Sequence, residues 1–158
     1  DNFSLHILNK VEFKRAHEFF NGKYSEGVMG FCINKNGKDQ NKIFIKEGEL
    51  AQVLLTIGHE IGHIQSNSLD PINEEAKAFA FTIAWMDAIK ENNIGNLSDV
   101  IIPTRPANNG LHNVALDFVL DVMKLGKSAH TIFQDIITGV TRYKDLYTFN
   151  TGNYHDLL

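Results

Sequence analysis

A chain of 158 residues, 43% apolar and 22% charged, can bury a core of its own and is too hydrophobic to stay unfolded, so one globular domain is expected. Its net charge of −4 contains no long basic run, so the electrostatic footprint of a nucleic-acid binder is missing. One cysteine, Cys32, cannot close an internal disulfide, and no stretch reaches the roughly 18 apolar residues that span a bilayer. The expectation is a soluble, cytoplasmic protein that acts on neither nucleic acid nor membrane, with Asp1 in place of methionine pointing to a trimmed amino end.

Asn9 followed by Glu12 has the form of a capping box, and Leu8, Val11, Ala16, Phe19 and Phe20 recur at helical spacing until Asn21-Gly22, which predicts a first helix. Residues Gly27 to Ile33 and Lys42 to Lys46 are rich in β-branched and aromatic side chains, with Asn36-Gly37 between them, which predicts a β-hairpin. Leu50, Val53, Leu54, Ile57, Ile61 and Ile64 then mark a second helix that ends in the polar cluster Gln65 to Ser68. Asp70 as N-cap and Pro71 at the first helical position launch a third helix, which stops at Asn92 to Gly95. Leu97 to Gly110 reads as a surface loop, with helices from about Leu111 to Leu125 and Ser128 to Tyr143 after it and a polar tail at the end.

His59-Glu60-Ile61-Gly62-His63 is an H-E-x-x-H sequence within the second helix. Positions four apart share a helix face, so both imidazoles can reach one metal while Glu60 stands beside it. A zinc ion in such a site acidifies water, and an adjacent carboxylate can take the proton and deliver it to a leaving amine, the role expected of Glu60. Gly58 and Gly62 are read as keeping the helix surface near the metal uncrowded. A catalytic zinc normally takes three protein ligands. Glu74 and Glu75 lie one turn into the third helix, and after the short join the chain returns past His63 at about that height. The stripe through Glu75, Phe79, Thr82 and Met86 favours Glu75; Glu74, on the stripe through Ala78, Phe81 and Trp85, remains the alternative.

With these residues the chain resembles the gluzincin metallopeptidases, which pair an H-E-x-x-H helix with a glutamate on a following helix. The order helix, β-ribbon, His59 helix, Glu75 helix is similar to the small archaeal minigluzincins, and Glu75, Ala78 and Phe81 satisfy the glutamate-helix register of the ImmA/IrrE family. That family's Leu-Leu-Met-Pro-like ending is absent after Phe81. The resemblance implies a zinc-dependent peptidase with His59, His63 and Glu75 as Zn2+ ligands, Glu60 as general base and a protein or peptide as substrate. It also implies a zincin-like α+β fold of about five helices with a small antiparallel ribbon, residues 1–95 forming the minimal catalytic unit and 96–158 a helical extension packed in the same domain. A zinc-stabilised binding module without turnover is the rival reading.

Gluzincins usually carry a His, Tyr or Arg that steadies the oxyanion, and His112, His130, Tyr143 and Arg105 are the candidates; His6, His17 and His155 have no motif. The strand Ile43 to Ile45 is read either as pairing with extended substrate or as a plain hairpin strand whose Lys42 and Lys46 protect an exposed edge. Met29, Phe31 and Trp85 are expected in the core.

Overall fold

The computed structural model describes residues 3–36, 39–102 and 110–146. Among them the element order is β1 (Phe3–Leu8), α1 (Lys10–Asn21), β2 (Gly30–Ile33), β3 (Asn41–Lys46), α2 (Leu50–Ile64), α3 (Pro71–Glu91), a 3₁₀ turn (Ile94–Asn96), α4 (His112–Lys124) and α5 (Ala129–Ile137). The class is α+β. The β-structure is larger than a ribbon, because β1 joins β3 in parallel (Phe3 opposite Asn41, Leu8 opposite Lys46) while β2 pairs with β3 antiparallel, giving the order β1-β3-β2. A parallel partner needs a long crossover, and α1 supplies it.

Strand β3 is therefore central, and its side chains serve two cores. Phe44 stacks on Phe31 at 4.7 Å and joins Phe13 of α1 on one face, whereas Ile43 and Ile45 pack against Val53, Ile57, Ile61 and Ile64 of α2 on the other. With both edges of β3 hydrogen-bonded, Lys42 and Lys46 protect no open edge, and this strand has no edge left for a peptide.

Helix α1 starts where expected, with Asn9 Oδ1 accepting from the amides of Val11 and Glu12 at 3.0 Å each. Its buried side carries Phe13 and His17, however, while Val11 and Phe19 face outward. The shift follows from the sheet, which receives α1 on the Phe31–Phe44 face.

Helices α2 and α3 form an antiparallel pair: His63 meets Glu74, Gly62 meets Ala78 and Gly58 meets Trp85, in reverse order along the two chains. On its far side α3 packs Ala76 and Ala80 against Phe118, Val119 and Val122 of α4 and Ile132, Phe133 and Ile136 of α5. Leu97 and Ile101, expected on a surface loop, are buried against Leu55, Met86 and Ile89. Helix α5 ends at Ile137 and not near Tyr143, because Gly139 turns the chain at φ 76°. No described helix is long and apolar enough to cross a membrane.

Candidate metal centre

Helix α2 carries both histidines on one face, and the tight join to α3 brings the two glutamates back against them. His59 Nε2 and His63 Nε2 lie 3.2 Å apart, Glu75 Oε2 is 3.4 Å from His59 Nε2, and Glu75 Oε1 is 3.9 Å from His63 Nε2. Donors held tetrahedrally at about 2.0–2.1 Å from zinc are about 3.3–3.4 Å from one another, a spacing that the two nitrogens and the His59–Glu75 pair already approach while the His63–Glu75 pair is wider. Among the described residues, His59, His63 and Glu75 are the group that could hold a metal. Glu75 Oε2 is buried, and its nearest polar neighbours are imidazole nitrogens, His59 Nε2 at 3.4 Å and His112 Nε2 at 3.3 Å.

Glu74 is placed differently. Its Oε1 is 2.8 Å from His63 Nδ1, and its Oε2 accepts from the Leu69 amide at 2.9 Å. A proton on His63 Nδ1 donated to Glu74 leaves the Nε2 lone pair turned towards His59 and Glu75, as metal-binding imidazoles require. The two acids thus meet His63 on its two different nitrogens. The alternatives for α3 both point at α2 because Ala78, Phe81 and Trp85 pack there as well as Phe79, whose ring lies 4.9 Å from His59.

Burial disfavours the charged form of His63, but Glu74, Glu60 and Glu75 outweigh it and raise its pKa above the ordinary value. Burial likewise works to raise both glutamates. Glu74 is nevertheless held below the usual carboxylate range by His63, the Leu69 amide and Lys77, and Glu75 by the three imidazoles of His59, His63 and His112.

Compared with protein-family models, with curated proteins and with solved structures, the chain matches none.

The three candidate ligands line an open cleft of about 340 Å³ together with Glu60, Glu74, Gly30, Phe31, Cys32, Ser68 and His112. Glu60 is buried at 6% exposure in the wall made by β2. Gly30 admits it: a Cβ there would stand 2.6 Å from Thr56 Cγ2 and 3.1 Å from Glu60 Oε1. Burial, with the Glu60 carboxylate beside it, pushes the Cys32 thiol well above its usual range, so this cysteine stays protonated.

Of the oxyanion candidates, His112 enters the cleft from the first residue of α4, with Nε2 3.3 Å from Glu75 Oε2. His130 is exposed on α5, and Tyr143 packs its ring on Phe118. Arg105 and His155 lie outside the described residues. The pair Gly58 and Gly62 does not clear space for a metal; Gly58 receives the Trp85 ring, and a Cβ on Gly62 would come within 2.8 Å of Ala78 Cα, so both let α3 approach α2.

Sequence reasoning passed over Lys77 and Asn34. Lys77 is fully buried, with Nζ donating to His63 O at 3.0 Å, to Ser66 Oγ at 3.2 Å and to Glu74 Oε2 at 3.0 Å. Asn34 Nδ2 donates to the carbonyls of His63 and Ser66 at 3.0 and 2.8 Å, capping the end of α2. The available signal was a lysine between two alanines, three residues after Glu74.

Proposed function

We propose that this chain is a zinc-dependent metalloendopeptidase of the gluzincin type, on a zincin-like fold. The observation that carries the reading is the convergence of His59, His63 and Glu75, whose ligand atoms lie within 4.8 Å of one another, in a cleft that also holds Glu60. Two imidazoles and one carboxylate form the donor set of a catalytic zinc with a position left open. Zinc bound there supplies Lewis acidity, lowering the pKa of water and polarising a carbonyl.

Glu60, the residue after the first histidine, takes the proton of the attacking water and hands it to the departing amine. Its carboxylate lies against Gly30 of β2 on the lining of the cleft. His112 offers an imidazole to the oxygen on which negative charge develops, a task for a fixed donor at the rim. Strand β2 takes the substrate role considered for Ile43 to Ile45, since it borders the cleft and has one side without a strand partner among the described residues.

Elemental analysis after dialysis against a weak chelator is expected to return one zinc per chain, and the loaded protein to cleave a peptide library. One zinc with no cleavage of any peptide would favour a zinc-stabilised binding module, and no zinc with the fold intact sinks both.

A further inference from the structure

A lysine with no exposed surface is costly unless its ammonium is fully paired, and all of Lys77's partners belong to one place. Nζ lies 2.9 Å from Glu74 Oε1 and 3.0 Å from Oε2, and it also donates to the His63 carbonyl and Ser66 Oγ. One cation therefore grips the carboxylate that contacts His63 Nδ1, the backbone of His63 itself, and the turn leading from α2 to α3. Asn34 holds the same His63 carbonyl from the sheet side. Without Lys77 the carboxylate would keep the Leu69 amide and His63 as partners but lose the group that fixes it between them.

We propose that Lys77 is a positioning residue for His63. Through Glu74 it keeps the imidazole in the tautomer with the proton on Nδ1, and through the main chain it fixes the height of the ring against Glu75. The inference rests on the metal-centre reading for its consequence, but its first effect, on the ring, is a property of the metal-free chain. Lys77 touches neither His59 nor Glu75 in any described contact, so its action on a metal is indirect.

The test uses Lys77→Met, which keeps the aliphatic length and removes the donors. In the metal-free protein, at a pH where the imidazoles are neutral, nitrogen-15 NMR is expected to show His63 as one tautomer, protonated on Nδ1, in the parent and as a mixture in the variant. Competition with a chromophoric chelator is expected to show zinc held about 10–100-fold more weakly, the usual effect of losing support behind a ligand. Should Lys77→Met fail to fold, Lys77→Met with Glu74→Gln removes the stranded charge, and the same two measurements are made on it against Glu74→Gln alone, where a further tautomer mixing and a further loss of zinc are expected and the absence of any difference overturns the proposal. An unchanged His63 tautomer in the folded variant overturns the proposal whatever the metal does. If the parent takes up no zinc, the metal-centre reading fails separately, and the tautomer alone decides the role of Lys77.

Discussion

Glu74 and Glu75 are one peptide bond apart yet contact His63 at Nδ1 and near Nε2 respectively, so truncating each should have a different consequence. Glu75→Ala removes a donor and is expected to abolish zinc retention through dialysis. Glu74→Ala leaves all three donors and should weaken zinc by about 10–100-fold, both read by chelator competition. Equal losses would mean that the roles are not divided in this way. Glu60→Gln keeps the shape of the side chain while removing its basicity, so the expected outcome is unchanged zinc content and a rate on a cleavable peptide lower by about 10²–10⁴. Loss of zinc from that variant would instead make Glu60 a ligand. The pair of histidines and the catalytic candidate were readable from five consecutive residues. The division between the glutamates was not, because helix periodicity says which residues share a stripe but not how two neighbouring stripes divide a wide contact with the same partner helix.

At the level of elements, the interval between α2 and α3 is set by absent side chains. Gly62→Ala would press a methyl group to 2.8 Å from the Ala78 Cα, backbone that cannot rotate away, so the helices must part. A destabilisation of about 1–3 kcal/mol is expected in chemical denaturation, with weaker zinc binding because Glu75 moves with α3. A variant as stable as the parent would show that the pair has slack. The helices were legible since their caps and stops are local, as with Asn9, Asp70 and Asn92. Strand β1 was missed although Phe3, Leu5 and Ile7 alternate, because a short run beside a helix cap signals a strand only when its partner is known, and that partner begins at Asn41. The same hidden sheet misdirected the reading of α1, whose buried face is decided by what lies beneath it.

Across the whole molecule, α3 is the element that both halves share. One side bears Glu75 and Trp85 towards α2, and the other buries Ala76 and Ala80 against α4 and α5. Phe118, fully buried in that second core, lies far from the sheet in sequence. Phe118→Ala is expected to cost about 3–5 kcal/mol in a denaturant titration. Because it loosens the helix that carries Glu75, it should also weaken zinc binding; unchanged affinity in the folded variant would show that α3 is held by α2 alone. The helices after residue 110 thus belong to the support of the cleft, and His112 adds one of its walls.

The candidate ligands span only residues 59 to 75, whereas β1 finds β3 across more than thirty residues of chain. Closing the shorter loop loses less chain entropy, and the outermost strand of a sheet has a neighbour on one side only. These two regions are therefore expected to open independently under native conditions. In hydrogen-exchange measurements the β1 amides should exchange through a low-energy fluctuation that leaves those of Ile57 to Ile61 protected. Identical protection in both would mean that sheet and helical pair come apart together. With independent opening, the segment that bears the candidate ligands would keep its shape while the amino-terminal strand is detached.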